Sequence, residues 1–316
     1  MSDPLPLAGI EIGGTKLQIV LGDDNGGISE RFRFAVDRAE GAAGIRRHVE
    51  TTLRTRGSAM SCRAVGVGFG GPVDWRTGQI RVSHHVEGWA DFELGRWLAD
   101  LTGAPVRVDN DANVAALAEA RCGAGRGFNP VFYVTLGSGV GGGLVVDGRI
   151  YHGAMPGEAE IGHVRLDRSG ATVESRCAGW AVDRRIREQI TREPNGILAQ
   201  LIADQSGGEA RHLGEALRRH DHTAIGILED TTHDLAFGLS HAVHLLHPEA
   251  IVLGGGLALL GEPLRAGVEK ALPRYVMDAF QPGPRILLAA LREDAVPVGA
   301  LLLAADAANR PDRRPR

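Results

Sequence analysis

The sequence predicts an α/β protein with two domains, and three observations support this. At 316 residues the chain is longer than a single hydrophobic core ordinarily requires. Short β-branched segments alternate with longer segments of helical periodicity, as in α/β folds. A strand, a glycine-rich turn and a second strand occur together twice, at residues 7–21 and 131–146. Each occurrence opens one half of the chain, which indicates an internal duplication.

The elements follow from the hydrophobic pattern, with strands as short apolar or alternating runs and helices as longer periodic ones. We predict strands at residues 7–12, 17–21, 28–36, 64–69, 106–108, 131–136, 144–146, 250–253 and 285–290. We predict helices at residues 41–56, 92–102, from 112 onward, at 181–190, 197–203, 213–220 and 224–246, after 256, and at 297–308. The polar, basic tail at 309–316 is expected to be mobile.

Composition excludes several classes of protein. A net charge of −4, from 35 basic and 39 acidic residues, gives no electrostatic footprint for nucleic acid. The three cysteines are an odd number without paired spacing, so a disulfide framework is not expected and a reducing compartment fits. No apolar run approaches the roughly 20 residues that span a bilayer, and the N-terminus does not resemble a signal peptide. We therefore expect a cytoplasmic protein without membrane or nucleic-acid partners.

The first glycine turn can bind an anion. In Gly13 and Gly14 the backbone N–H groups are open to close approach, and Thr15 and Lys16 add donors. An ordinary hairpin would use these glycines equally well. Glu11, just before the turn, favours a nucleotide site, because a buried acid there can hold Mg²⁺ through water.

The strand at 106–108 ends in Asp109, Asn110 and Asp111, directly before a helix. Open α/β sheets bind ligands at this position, and a carboxylate there can accept the proton of a substrate hydroxyl. Alternatively, these residues only cap the helix, as Asp and Asn commonly do. From this segment alone both interpretations stay open.

Two loops in the first half also carry polar or flexible residues. Gly70 and Gly71 follow a buried strand, in a loop that can lie close to a ligand. His84 and His85 stand near Glu87 and could suggest a metal, but a lone pair of histidines is more typical of an exposed loop.

Three segments of the second half are candidates for ligand contacts. Gly137, Ser138 and Gly139 open a glycine run that repeats the first turn, so the two turns together could bind a polyphosphate. Glu160 and His163, three residues apart, could contact one small ligand or could be satisfied loop residues. The glycines at 254–256 follow a strand and bring the backbone close to a flat or anionic group, such as adenosine. Neither a Rossmann fingerprint nor a P-loop motif is present.

Taken together and in order, these motifs resemble the ROK family (repressors, open reading frames and kinases) of the actin-like, sugar-kinase ATPase superfamily. The resemblance extends from Gly9 to about Ala305. It comprises a first phosphate motif at 9–16, a catalytic segment at 108–113, a second phosphate motif at 135–143, the Glu-Ile-Gly-His segment at 160–163 and an adenosine motif at 251–256.

The resemblance implies two actin-like (ribonuclease H-like) α/β lobes, each with a mixed five-stranded sheet, and a cleft between the lobes. Residues 1–118 with 296–316 would form the N-terminal lobe for sugar and phosphate. Residues 119–295 would form the C-terminal lobe for nucleotide binding and oligomerisation. Members of the family are commonly dimers or tetramers, so a homo-oligomer is expected.

The implied activity is phosphorylation of a hexose by ATP, glucokinase-like and at the 6-hydroxyl, with Asp111 as general base. Mg²⁺ would be held by Glu11 through water. The sugar would be contacted by Gly71, Asn110, Asp111, Glu160, His163 and Asp183. The nucleotide would be held by Gly13, Gly14, Thr15, Lys16, Thr135, Gly137, Ser138, Gly139, Gly254, Gly255 and Gly256.

Other functions within the family stay open. A fructokinase, an N-acyl-hexosamine kinase and a catalytically weak sugar-sensing protein are alternatives. Repressors of the family carry an N-terminal helix-turn-helix domain, but the first strand here begins by Leu7 and leaves no room for one. DNA binding is therefore not expected.

The sequence also departs from the family pattern. Family kinases bind structural zinc through three closely spaced cysteines and the histidine of the Glu-Ile-Gly-His segment. The corresponding segment here, 174–183, keeps only Cys177, too few ligands for a closed site, so we predict no structural zinc. We expect Trp180 to fill the space, and Asp183 to replace a sugar-binding glutamate if a one-residue gap is allowed. Gly70, His85 and Glu11 are further departures at sugar or metal contacts.

Overall fold

A computed structural model of the chain describes residues 5–54, 62–83, 86–154, 159–203 and 207–309. The chain divides into two compact units. Unit 1 takes its residues from Met1–Arg126, Gly148–Glu158 and Glu293–Arg316, and unit 2 from Gly127–Asp147 and Ala159–Arg292. Among the described residues, every helix is too short or too polar to cross a membrane. The pair at His84 and His85 lies outside the described residues.

The strands of the described chain are β1 Leu7–Ile12, β2 Lys16–Gly22, β3 Ile28–Ala35, β4 Val65–Phe69, β5 Val73–Asp74, β6 Gln79–Ile80, β7 Val106–Asn110, β8 Val131–Leu136, β9 Val140–Val146, β10 Arg149–Ile150, β11 Ala250–Gly254 and β12 Arg285–Leu288. The helices are α1 Gly41–Arg54, α2 Leu94–Thr102, α3 Asp111–Arg121, α4 Val173–Cys177, α5 Gly179–Arg192, α6 Ile197–Ile202, α7 Leu213–Arg218, α8 His222–Leu246, α9 Glu262–Ala271 and α10 Ala295–Asn309. Short 3₁₀ turns include Ile161–His163 and Glu209–His212.

The first sheet has the strand order β3-β2-β1-β4-β7. β1 pairs antiparallel with β2 and parallel with β4, and β4 pairs parallel with β7. All residues of β1 and β4 are buried, because helices cover both faces of the sheet. Apolar residues of α1 and α2 pack on one face, and α10 packs on β1, β4 and α3.

Gly66 of β4 allows the closest approach between α10 and the sheet. A Cβ at this position would collide with the carbonyl oxygen of Ala300 and would lie 2.7 Å from the backbone nitrogen of Ala304. The helix backbone therefore rests directly on the strand, which only glycine permits.

The second sheet repeats this design, with the order β10-β9-β8-β11-β12. β8 pairs antiparallel with β9 and parallel with β11, and β11 pairs parallel with β12. A core of residues from β8, β11, α5, α8 and α9 covers this sheet. The predicted α/β class with two mixed five-stranded sheets is thus confirmed.

Several predicted boundaries were wrong. β9 begins at Val140, so residues 140–143, which we assigned to a glycine turn, are strand paired with β8. β12 ends at Leu288, earlier than predicted. Helix α4 was missed, because its five residues are too few for a periodic signal; a capping box between Thr172 and Ser175 stabilises its start.

Candidate functional site

The catalytic candidate Asp111 is the first residue of α3, in unit 1. The helix cap is its neighbour: the side-chain oxygen of Asn110 accepts a hydrogen bond from the backbone N–H of Ala112 at 2.9 Å. The capping interpretation therefore applies to Asn110. It leaves Asp111 in the first helical turn, where a negative charge is favoured by the helix dipole.

Gly70 marks the point where Asp111 and the first glycine turn meet. A Cβ at Gly70 would lie 3.4 Å from Oδ2 of Asp111, 3.4 Å from the carbonyl oxygen of Ile12 and 3.7 Å from Cα of Gly13. The ends of β1 and β4 and the start of α3 thus converge within unit 1. The structure brings a carboxylate next to the turn that we predicted to bind phosphate.

Gly71 and Asn110, both predicted to contact sugar, are also adjacent. The side-chain amide of Asn110 donates a hydrogen bond to the carbonyl oxygen of Gly71 at 3.2 Å. Because the cap occupies the amide oxygen, both ends of this side chain have protein partners. Asn110 is therefore held in one orientation, and its contact with a sugar stays a prediction.

Glu11 is a buried carboxylate with partners on both oxygens. The Gln18 side chain donates to Oε2 at 2.6 Å, and Nζ of Lys16 lies 3.2 Å from Oε1. Burial raises the pKa of Glu11, and the Lys16 charge opposes this rise. The described residues contain no group of three or more His, Cys, Asp or Glu that could hold a metal. Direct coordination is not favoured, but Mg²⁺ commonly keeps several waters, so contact through water fits a lone acid.

Replacing Glu11 by glutamine should raise the free energy of unfolding at pH 7. The pKa of Glu11 is higher in the folded protein than the ordinary value of 4.5. Above pH 4.5 the unfolded chain therefore loses this proton before the folded protein does, and the free energy of unfolding of the wild type falls until pH exceeds the folded-state pKa. Glu11→Gln lacks that loss, and its stability should change less between pH 5 and 8. Urea unfolding at several pH values measures this. The control is Glu50→Gln, because Glu50 is an exposed acid paired with Arg54. Its free energy of unfolding should change with pH as that of the wild type does.

Glu174 forms a hydrogen bond at the second glycine turn, in unit 2, that we did not predict from the sequence. The backbone N–H of Gly137 donates to the carbonyl oxygen of Gly139 at 2.9 Å, and Ser138 is exposed at the tip. Oε2 of Glu174 accepts a hydrogen bond from the backbone N–H of Val140 at 2.9 Å. This carboxylate occupies one of the donors that could otherwise face a phosphate.

Thr135 links the second turn to the glycines at the end of β11, because its register partner on that strand is Gly254. A Cβ at Gly254 would collide with the hydroxyl of Tyr133. Gly255 has φ +81°, in the left-handed region that favours glycine. Packing and backbone geometry thus explain these two glycines without a ligand, whereas a Cβ at Gly256 would meet nothing within 4 Å.

Glu160 precedes and His163 ends a 3₁₀ turn that packs on Val140, next to the second glycine turn. Ile161 is buried, and a Cβ at Gly162 would collide with the carbonyl oxygen of Val140. The Glu160 and His163 side chains are exposed, and the His163 N–H donates to the Glu160 carbonyl oxygen at 3.1 Å. The turn therefore presents both side chains outward from unit 2.

Asp183 caps a neighbouring turn. Its carboxylate accepts hydrogen bonds from the backbone N–H groups of Gly208 at 3.2 Å and Ala210 at 2.7 Å. These bonds give the residue a structural role that does not need a sugar, and its predicted sugar contact stays a prediction.

Cys177, not Trp180, fills the interior of the cysteine-poor segment. The Cys177 side chain is fully buried, whereas Trp180 is 43% exposed and lies under the guanidinium of Arg184. Our expectation that Trp180 would fill this space was wrong. Burial raises the pKa of the Cys177 thiol, which disfavours the thiolate that binds metal.

We expect purified protein to contain no stoichiometric zinc and to keep its melting temperature in EDTA. A buried neutral thiol and one exposed histidine do not make a closed tetrahedral site. Elemental analysis of protein purified without chelator tests this prediction. One zinc per chain, with a melting temperature that falls when the metal is removed, would contradict it.

Comparisons with known proteins extend along almost the whole chain. A family model described as ROK family matches residues 7–307. Glucokinase of Thermotoga maritima is 29% identical over 304 residues, covering 94% of this chain and 96% of the relative. Glucokinase of Halalkalibacterium halodurans is 30% identical over 306 residues, covering 92% of each chain. A solved ROK family glucokinase from Streptomyces griseus, in complex with glucose and AMPPNP, has a TM-score of 0.81 at 30% identity and covers 95% of this chain and 99% of its own.

Proposed function

Because this chain belongs to the ROK family, we propose that it transfers the γ-phosphoryl group of ATP to the 6-hydroxyl of a hexose, with glucose as the first candidate. The glucokinase relatives support the activity of a sugar kinase. The AMPPNP complex of the S. griseus enzyme supports ATP as donor. From the same resemblance we propose a cytoplasmic homo-oligomer.

One observation carries the mechanism: the Asp111 carboxylate lies beside the first glycine turn, around the space over Gly70. In the proposed reaction Asp111 accepts the proton of the sugar hydroxyl while that oxygen forms a bond to the γ-phosphorus. The bond from this phosphorus to the bridging oxygen breaks, and ADP leaves with the electron pair. Positioning and charge neutralisation supply most of the rate in phosphoryl transfer.

The remaining residues bind and orient the substrates. We assign sugar contacts to Asn110, Glu160 and His163, because side chains that hydrogen-bond a sugar hydroxyl discriminate against sugars that lack it. We assign the phosphates to the two glycine turns and the adenosine to residues 254–256. Mg²⁺, held by Glu11 through water, would neutralise phosphate charge.

A coupled assay of ADP release over a panel of hexoses and hexosamines tests this proposal. We expect glucose to give the highest kcat/KM among the sugars and 6-deoxyglucose to give no turnover. Phosphorus NMR of the product should place the phosphate on carbon 6. Binding of sugars without ADP release on any of them would contradict the proposal and favour a sugar-sensing protein. The highest kcat/KM for fructose or an N-acyl-hexosamine would correct the substrate class.

A further inference from the structure

Asp109 is a buried carboxylate at the catalytic segment that the proposed reaction does not use. It is the second-to-last residue of β7, directly before the helix cap Asn110, and is 3% exposed. Its Oδ1 accepts hydrogen bonds from the backbone N–H of Asn110 at 2.8 Å and from the side-chain amide of Asn113 at 2.9 Å. Oδ1 therefore contacts both the cap and the first turn of α3.

The other oxygen of Asp109 faces a histidine from a distant part of the sequence. Nε2 of His152 lies 2.6 Å from Oδ2, and both residues belong to unit 1. A carboxylate only accepts hydrogen bonds, so Nε2 is the donor. This short bond is largely shielded from solvent, because the side chains of His152 and Asp109 are only 19% and 5% exposed.

The His152 ring is itself held in place. It stacks on the indole of Trp75, with ring centroids 4.1 Å apart and an interplanar angle of 16°. The guanidinium of Arg76 lies 5.0 Å from the Trp75 ring centroid. Stacking fixes the plane of the imidazole, and therefore the direction in which Nε2 donates.

We propose that His152 is a positioning residue for the catalytic segment, acting through Asp109. A chain of bonds leads from Nε2 of His152 to Asp109, from Asp109 to the Asn110 N–H, and from the Asn110 side chain to the backbone of Ala112 and Gly71. These bonds hold both the backbone N–H and the side chain of Asn110, the residue directly before Asp111. This inference depends on the proposed function in one respect only, namely that Asp111 is the general base.

The energetics explain why this bond matters. A buried carboxylate that loses a donor keeps the full cost of its desolvation, so it turns or draws in water. Either movement shifts the N–H of Asn110 and the start of α3. A displacement of about 1 Å at a reacting group can lower a rate about 100-fold.

The test compares His152→Phe with His152→Gln. Phenylalanine keeps the stacking on Trp75 but cannot donate, whereas glutamine keeps a donor. For His152→Phe we expect kcat/KM for the sugar to fall about 10- to 100-fold, with an unchanged KM for ATP. For His152→Gln we expect recovery of most of this loss. His48→Phe is the control, because His48 stacks on Phe34 in the same unit, and it should behave as wild type.

Amide hydrogen exchange by NMR gives a second result that does not need activity. The N–H groups of Asn110 and Ala112 should exchange faster in His152→Phe and at the wild-type rate in His152→Gln. Unchanged exchange at both amides would overturn the proposal. So would an unchanged kcat/KM in His152→Phe, or a loss that glutamine does not restore. A wild-type protein without kinase activity would refute the proposed function, and the exchange rates would still decide the role of His152.

Discussion

Replacing Asp111 by asparagine lowers kcat for hexose phosphorylation about 1,000- to 10,000-fold, if this carboxylate is the general base. Asparagine has nearly the same shape but cannot accept the hydroxyl proton. The folded structure should persist, because Asn110 caps the helix and stays in place, and asparagine has nearly the same shape as aspartate. Initial rates at saturating sugar and ATP, together with the melting temperature, measure both effects.

The control for this experiment is Asp100→Asn, an exposed acid on α2 in the same unit. It should keep wild-type kcat and KM. If Asp111→Asn retained more than about a hundredth of wild-type kcat, the transfer would not depend on this group, since general-base catalysis contributes at least about 100-fold. Asp111→Ala should be impaired to a similar degree, because alanine cannot accept the proton either.

Replacing Gly66 by alanine should destabilise unit 1 by about 3 kcal/mol or more, at or above the upper end of typical overpacking costs. The added methyl group would meet the backbone of α10 at Ala300 and Ala304, not a flexible side chain. Helix and sheet would have to separate, and the interdigitated core between them would loosen. Urea unfolding followed by tryptophan fluorescence measures the change, since three of the four tryptophans, Trp75, Trp89 and Trp97, belong to unit 1.

A matched glycine should respond in the opposite direction. A Cβ at Gly226 of α8 would meet no atom within 4 Å. Alanine favours the helix interior over glycine by up to about 1 kcal/mol, so Gly226→Ala should leave stability unchanged or raise it. Wild-type stability of the Gly66→Ala variant would contradict the close packing of α10 on β4.

Local patterns predicted most strands of the two sheets, whereas the arrangement in two five-stranded sheets was implied by the resemblance to the ROK family. The strands β1, β8 and β11 are short apolar runs that lead into glycines, and the sequence encodes both features directly. The boundary of β9 was missed because its glycines favour a turn locally, whereas pairing with β8 determines the conformation of Val140 and its neighbours. The tertiary contact there overrides the local preference.

The candidate site was predictable where its residues form contiguous motifs. Asp111, the turn at 13–16 and the glycines at 254–256 were proposed in this way, and their roles stay predictions. Residues that act through long-range contacts were not. Glu174 is 34 residues from its partner Val140, and His152 is 43 residues from Asp109. Neither contact leaves a periodic or spacing signal, so only the folded chain identifies them.

The position of α10 affects the order in which the protein can fold during synthesis. The ribosome makes β1 and β4 early, but the helix that covers one face of their sheet emerges only after unit 2 has been made. A truncated product that stops before residue 295 would carry an uncovered apolar surface of the kind that chaperones and proteases recognise. We therefore expect premature termination to yield fragments that proteases degrade and not enzymes with partial activity.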